Sequence, residues 1–329
     1  MQRIRQIVRR NQGMEKIGGG KTDHFKAGKF IKNNFVIIAF IIIFIFSCFA
    51  TPVFLTVGNI TSVLITNSIS AICALGMLMI IITGGIDLSV GSYVCICVCL
   101  TAGFIQNGMG PAAIVAVGAL GVLFGCITGV LVAYAKVAPF IVTLAMTSIL
   151  KGLAYMYQVG ENRRIDGTFW PEFIQGSVLF IPTPIFIMIV VFLIVLFVLN
   201  KTKYGRGLYA IGGNQETARL AGINVKGYLV AVYAIGGFLF GMAGMILAGR
   251  LSMGTATVGD GYELDAIASV VIGGAALSGG TGSAVKTLIG AFLMGILMNV
   301  MNLLGIASYP QMVFKGIIIV AAVLANRND

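Results

Sequence analysis

The segment 84–92, with the sequence GGIDLSVGS, carries side chains suited to binding a polar solute. Paired glycines free the backbone, and Asp87, Ser89 and Ser92 follow them inside an apolar region. We expect Asp87 to cap a helix that begins at Leu88, so that a helix N-terminus, hydroxyls and a carboxylate hydrogen-bond a neutral polyol. A capped interhelical turn is the alternative interpretation. Because a carboxylate near the bilayer is costly unless it is paired or wet, we treat this one as a site candidate.

A similar glycine-broken segment occurs in the second half of the chain. Gly84–Gly91 and Gly273–Gly280 share the pattern G-G-x-x-L-S-x-G at an offset of 189 residues, and Thr56–Asn59 and Thr257–Asp260 precede them in the same order. Paired glycine interruptions in corresponding positions of two halves indicate the binding site of a transporter. Two tight turns in a chain with 44 glycines are the alternative. The candidate path residues are Asn67, Asp87, Ser89, Ser92 and Ser278.

Composition identifies the elements that must position these residues. The 329 residues are 58% hydrophobic and only 10% charged, whereas an ordinary soluble domain is about 25% charged. The mean hydropathy is +1.00, and apolar runs of about 20 residues recur, the length that spans a bilayer as a helix. The runs lack the alternation of barrel strands, so the sequence predicts an all-α transmembrane bundle and excludes a soluble enzyme or a disordered protein.

We place about ten spans in this bundle. The segment near 263–278 begins with acidic residues and reaches Gly273 after a short apolar stretch, so a half-helix or re-entrant segment is expected over 263–283, with a second helix break near 84–92. The predicted spans are 35–55, 60–83, 88–106, 111–135, 139–158, 183–200, 227–248, 263–278, 284–304 and 309–326.

The positive charge is concentrated in two segments. Segment 1–34 has a net charge of +7 and segment 200–227 a net charge of +4, which together equal the +11 of the whole chain. Basic residues beside apolar spans mark the cytoplasmic side, so they indicate orientation in lipid rather than binding of a nucleic acid. We expect 1–34 to be a cytoplasmic tail, 35–326 a single transmembrane domain and 327–329 a C-terminal tail of a multi-pass membrane protein.

This orientation places turns at 84–87 and 136–139 in the cytoplasm and the loop 249–262 outside. Asp260, Glu263 and Asp265 then lie at the outer mouth, where they gate a path or dock a soluble partner, or else are solvated loop charges. Lys151 and Lys315 fall inside spans near their outer ends, so we expect their amines to reach the outer interface.

The cytoplasmic loop 201–226 contains a short helix with clear end signals. Asn214 suits the N-cap, Glu216 the first turn, and Gly222 a left-handed end. A loop of this length favours docking of another protein over a mere connector. The candidate docking residues are Asn214, Glu216, Ala218, Arg219, Leu220 and Gly222.

No catalytic, metal or cofactor site is predicted. The histidine at position 24 and the phosphate-loop-like Gly20-Lys21-Thr22 both lie in the basic tail, and Glu15 stands where a phosphate loop needs its first glycine. The cysteines, among them Cys95, Cys97 and Cys99, lie in apolar runs, where they serve as small packing residues. Embedded enzyme chemistry therefore has little support.

At 84–92, 200–225 and 261–283 the sequence resembles the inner-membrane permease subunits of bacterial ABC sugar importers, the ribose and galactose permease family. Glu216-x-Ala218-x3-Gly222 resembles the start of the motif that contacts the ATPase, although the downstream Ile-x-Leu-Pro part is absent. Asn302-Leu303-Leu304-Gly305 and the residues after it look closer to the ribose branch.

This resemblance implies a permease subunit that is not itself an enzyme and that translocates a monosaccharide, a ribose-like pentose or a hexose such as galactose. It implies a second copy of the chain, separate cytoplasmic ATPase subunits and an extracytoplasmic sugar-binding protein, with the 214–222 helix as the coupling element. A self-sufficient, ion-coupled secondary transporter of a small polar solute remains the alternative that the glycine repeat alone allows.

Overall fold

The computed structural model describes residues 34–326. The predicted tails 1–34, apart from Asn34, and 327–329 lie outside the described residues. The helices are α1 (Phe35–Ala50), α2 (Val57–Ile82), α3 (Val90–Gln106), α4 (Ala112–Ala133), α5 (Pro139–Gln158), α6 (Phe169–Gln175), α7 (Thr183–Lys201), α8 (Lys203–Gly213), α9 (Gln215–Leu220), α10 (Val225–Leu251), α11 (Tyr262–Ile272), α12 (Ala284–Leu303) and α13 (Ser308–Asn326). The strands are β1 (Arg163–Arg164), β2 (Ser177–Val178), β3 (Ile181–Pro182) and β4 (Met253–Gly254), paired antiparallel as β1–β4, with Arg163 opposite Gly254, and β2–β3, with Ser177 opposite Pro182.

The molecule is an all-α membrane bundle, as predicted. Within 34–326, α2, α4, α5, α7, α10 and α12 are each long and apolar enough to cross a bilayer. Helices α1, α3, α11 and α13 lie at the other predicted segments, so length and composition support six of the ten predicted spans within the described residues. On α7, the exposed residues Val190, Ile194 and Phe197 lie on one face, where an apolar surface suits lipid.

Helices α2 and α10 form the centre of the bundle. The most apolar windows of these helices are 83% and 67% buried, against 33% for α4 and α7. Helix α4 approaches α10 through Gly121, Gly125 and Gly129, where a methyl group added to Gly125 would lie 2.8 Å from the Cα atom of Ala234. Small residues at this spacing let two backbones come close. The glycine spacing in the sequence is thus a packing signal.

The two glycine-broken segments end their helices in the same way. After α2, the Gly85 N–H donates to the Ile80 carbonyl at 3.2 Å, and after α11 the Ala275 N–H donates to the Val270 carbonyl at 3.2 Å. Gly84 and Gly274 each have φ of +82°, the left-handed conformation that closes a Schellman motif. The structural offset is therefore 190 residues, one more than the sequence pattern predicts.

The two breaks meet at one end of the bundle. The Gly280 N–H donates to the Ile82 carbonyl at 2.9 Å, and Gly212 of α8 packs against both groups. We call this the basic-loop end, because it also carries residues 201–224; the opposite, hairpin end carries residues 159–182. The close backbone contact joins both halves of the bundle to the loop that contains α9.

Residues 252–261, which we call the return segment, form an irregular stretch after α10. The segment leaves the hairpin end through β4 and runs back along α3: the Cys95 thiol donates to the Ala256 carbonyl at 3.3 Å, and Gly259 packs against Gly91. Helix α11 then starts inside the bundle and is 11 residues long. The half-helix expected over 263–283 is present, but 249–262 is not the simple outer loop that we predicted, because glycines let it lie against α3.

Candidate translocation groove and coupling surface

A polar groove lies between α2, α11 and α12. Its volume is about 230 Å³. Uncharged hydroxyl and amide groups supply most of its polar lining, a chemistry that hydrogen-bonds a neutral polyol without selecting an ion. The polar lining includes Ser62, Thr66, Asn67, Ser70, Ser269 and Asn299.

Three of these six side chains, those of Thr66, Ser269 and Asn299, hydrogen-bond within the protein. The Thr66 hydroxyl donates to the Ser62 carbonyl at 2.8 Å, and the amides of Asn59 and Asn299 bond reciprocally at 3.1 and 2.9 Å. Asn67 differs: it is 5% exposed, and its amide nitrogen has no hydrogen-bond partner among the described residues. Asn67 therefore places a buried, unused donor at the groove.

One ion pair adjoins this groove. Asp265, which also lines it, lies 2.6 Å from the Lys315 amine of α13, and the two side chains are 25% and 17% exposed. The Lys315 amine thus has a carboxylate partner, and the expectation that it reaches the outer interface stays a prediction. The pair leaves the groove with balanced charge.

A second ion pair holds the return segment. The Lys151 amine donates to Asp260 at 2.8 Å and to the Val258 carbonyl at 3.0 Å, and the expectation that it reaches the outer interface likewise stays a prediction. Glu263 accepts from the Gly261 N–H at 3.1 Å. Of the three acids predicted at the outer mouth, Asp260 is largely exposed, with 81% of its side chain accessible, whereas Glu263 and Asp265 lie inside the bundle.

The other predicted path residues lie away from the groove. Asp87 is 1% exposed and accepts hydrogen bonds from the Ser89 N–H, at 2.8 Å, and from the Ser89 hydroxyl. The helix begins at Val90 rather than Leu88, because Asp87 closes a turn onto Ser89 instead of capping a helix directly. Ser92 is buried in α3.

Ser278 lies at the basic-loop end, where its carbonyl is 3.3 Å from the position of a methyl group on Gly84. The groove thus contains Asn67 alone among the five predicted path residues. Sequence reasoning missed Ser62, Ser70 and Asn299, although Ser62, Thr66 and Ser70 recur every four residues, the spacing of one helix face.

Helix α9 forms a compact element at the basic-loop end, with both predicted end signals in place. The Asn214 side chain accepts from the Thr217 N–H at 2.8 Å. Gly222 has φ of +84°, and the Ile223 N–H donates to the Ala218 carbonyl at 3.1 Å, which closes a Schellman motif. Capping at both ends explains why so short a helix forms at all.

The exposed face of α9 carries a leucine and an ion pair. Leu220 is 75% exposed, and the Arg219 guanidinium donates to Glu216 at 3.0 Å, which holds the pKa of that carboxyl below its ordinary value. Ala218, in contrast, is 3% exposed and packs against Ile211. Ala218 therefore anchors the helix to the protein and offers no surface to a partner.

We expect Asn214→Ala to loosen α9 by about 1 kcal/mol, because the first turn loses its side-chain acceptor. Hydrogen exchange at the Thr217 amide checks this: exchange should accelerate about fivefold, since that free-energy loss corresponds to a factor of this size. Asn214→Ser, which keeps a capping oxygen, should exchange as the wild type does. Equal exchange in the alanine and serine variants would contradict the capping role.

Comparisons with known proteins agree with this architecture. Residues 59–323 match the family model described as the permease component of the branched-chain amino acid transport system. The ribose import permease protein of Escherichia coli strain K12 is 42% identical over 301 residues, covering 88% of this chain and 92% of the relative. No solved structure matches the chain.

Further relatives extend over similar lengths. The ribose import permease protein of Bacillus subtilis strain 168 is 43% identical over 291 residues, 88% of this chain and 90% of the relative. The D-allose transport system permease protein of Escherichia coli strain K12 is 34% identical over 296 residues, 89% and 90% of the two chains. These relatives are transport permeases rather than catalytic enzymes. Because the family model covers most of the chain and each relative matches nearly end to end, this protein belongs to the family of transport-system permease components.

Proposed function

We propose that this chain is the permease subunit of an ATP-driven importer that carries a monosaccharide, ribose or a related pentose or hexose, across the bacterial inner membrane. The observation that carries the proposal is the groove of uncharged amides and hydroxyls inside an apolar bundle. Neutral donors and acceptors suit a sugar, and the acid that lines the groove, Asp265, is already paired with Lys315. The named substrates of the relatives support a sugar.

A second copy of the chain completes this groove. Ser62, Thr66 and Asn302 line the groove and are exposed on the surface of the single chain. Polar groups are unfavourable against lipid tails, so we infer that the same face of a second copy covers them and that the path lies between the two copies. A two-fold arrangement of this kind is the commonest form of homo-oligomer.

The remaining partners follow from the two ends of the bundle. The exposed Leu220 on α9 is the contact for a separate cytoplasmic ATPase subunit, and Asp260, at the start of the inner half-helix, is a contact for an extracytoplasmic sugar-binding protein. With the basic-loop end in the cytoplasm, the N-terminus is cytoplasmic and α1 runs outward from it. The whole chain then crosses the membrane in about ten spans. Asn67 is the path residue with the strongest support, ahead of Asp87, Ser89, Ser92 and Ser278.

A single substitution tests the coupling part of this proposal. Leu220→Asp places a charge on the exposed face of α9, so we expect the tagged chain, purified in mild detergent, to retain severalfold less ATPase while its membrane level is unchanged. Leu179→Asp is the matched control, because Leu179 is 76% exposed, against 75% for Leu220, but lies at the hairpin end.

Equal recovery of the ATPase with Leu220→Asp and Leu179→Asp would contradict the role of α9 as the coupling element. Sugar uptake into vesicles that contain the chain without any ATPase, driven by an ion gradient alone, would overturn the importer as a whole.

A further inference from the structure

Asn67 lies where α2 comes closest to α12. A methyl group added to Gly295 of α12 would overlap the amide atoms of Asn67. The amide therefore occupies the space that a Cβ atom fills at any other residue. Gly295 lines the groove together with Asn67, so this contact fixes the amide at the wall of the groove.

Two of the neighbouring polar side chains direct their hydrogen bonds elsewhere. The Thr66 hydroxyl donates to the carbonyl of Ser62 on its own helix, and the Ser269 hydroxyl donates to the Asp265 carbonyl at 2.6 Å. The Asn67 nitrogen has no such bond among the described residues, although the residue is buried. A buried donor without a partner is unfavourable, and a ligand acceptor that enters the groove removes this cost.

We propose that the Asn67 amide binds a hydroxyl oxygen of the transported sugar and that Gly295, which has no Cβ atom, makes room for this amide. This inference rests on the proposed function, since it names the contact within the same groove. It assigns Asn67 a role in selecting neutral hydroxyl-bearing solutes, because an amide donates to a hydroxyl oxygen without attracting a counter-charge.

The test uses the full chain reconstituted in proteoliposomes with its ATPase and its sugar-binding protein. D-ribose, D-allose and D-galactose are compared, and the best-transported sugar is then measured beside its monodeoxy analogues. Asn67→Leu keeps the shape and removes the donor, so uptake at limiting sugar should fall about tenfold, the effect of one lost hydrogen bond to a buried group. Ser68→Ala is the matched control and should transport as the wild type does, because Ser68 is buried on the same helix, its hydroxyl donates to the Leu64 carbonyl at 2.7 Å, and it does not line the groove.

A deoxy analogue separates recognition from mere packing. In the wild type, the analogue that lacks the contacted hydroxyl should be transported more slowly than the parent sugar, and in Asn67→Leu this difference should vanish. The same binding protein delivers both sugars to every variant, so a changed ratio arises in the permease. The ATPase recovered with each variant shows that the chain is folded.

Gly295→Ala provides an independent check. Alone, it should reduce uptake as Asn67→Leu does, because the methyl displaces the amide; in an Asn67→Ala background it should cost nothing further. Unchanged sugar ratios in Asn67→Leu, or additive losses in the double variant, would overturn this inference. Absence of ATP-dependent sugar uptake by the wild type would instead overturn the proposed function.

Discussion

Gly212→Ala is expected to lower the free energy of unfolding by about 3 kcal/mol, the upper range for inserting a methyl group into a filled space. The added methyl would fall on the Ile82 carbonyl and the Gly280 N–H, which are hydrogen-bonded to each other at 2.9 Å. Backbone atoms cannot rotate away as a flexible side chain does. The substitution therefore separates the two halves of the bundle from the loop that carries α9, and we expect little folded protein in the membrane.

The neighbouring glycine provides a matched control. Gly213 belongs to the same helix, but a methyl group added there has nothing within 4 Å. Gly213→Ala should leave stability unchanged or raise it slightly, since alanine favours a helix. Thermal unfolding in detergent, followed by size-exclusion chromatography, distinguishes the two. Equal melting temperatures for both variants would contradict the close contact at Gly212.

Lys315→Met should cost about 2 kcal/mol of stability, because it leaves the Asp265 carboxylate without its counter-charge. Removal of one member of a fully buried pair costs about 3–5 kcal/mol, and the partial exposure of this pair, 17% and 25%, reduces the effect. The exposed Arg219–Glu216 pair provides the contrast. Arg219→Met should change the melting temperature little, as expected of a surface ion pair.

The double variant Asp265→Asn/Lys315→Met should recover most of the stability lost in Lys315→Met. It removes both charges, so no carboxylate remains unpaired beside the groove. Thermal unfolding of the single and double variants in the same detergent measures this coupling. If the double variant melts lower than Lys315→Met, the loss comes from packing of the lysine chain on α13 rather than from the stranded charge.

The helices of the membrane bundle are well predicted by apolar run length. The predicted 60–83 and 139–158 match α2 and α5 within a few residues, because a buried or lipid-facing helix needs an unbroken apolar run. The half-helix after residue 262 is predicted because acids and paired glycines bound its short apolar stretch. The return segment is not predicted, since its path depends on contact with α3, far away in the sequence.

Repeats in the sequence identify an equivalence but not its register. The breaks after α2 and α11 share a closing hydrogen-bond pattern, and the positive φ falls on the second position of the motif, Gly274, where the sequence pattern aligns Gly273 with Gly84. Thr56 caps α2 by accepting from the Asn59 N–H, whereas Thr257 lies in the return segment. The segments Thr56–Asn59 and Thr257–Asp260, which match in sequence, therefore have different structures.

Most groove residues cannot be predicted from the sequence, because the groove forms only where three helices come together. Asn67 is predicted as a path residue, yet the residues facing it come from α11 and α12, more than 190 positions later. Single serines and asparagines in apolar runs have no sequence signal that separates a groove from ordinary packing. The sequence does predict the capping roles of Asn214 and Gly222, because each residue acts within one short helix.

The return segment differs mechanically from every helix around it. A helix that shifts along its axis keeps or breaks its hydrogen bonds as a cooperative ladder. Residues 255–260 are held instead by separate side-chain bonds, from Cys95 to Ala256 and from Lys151 to Val258 and Asp260. Such bonds open one at a time. Residues 255–260, and with them the start of α11, can therefore shift while the backbone hydrogen bonds within every helix of the bundle stay intact.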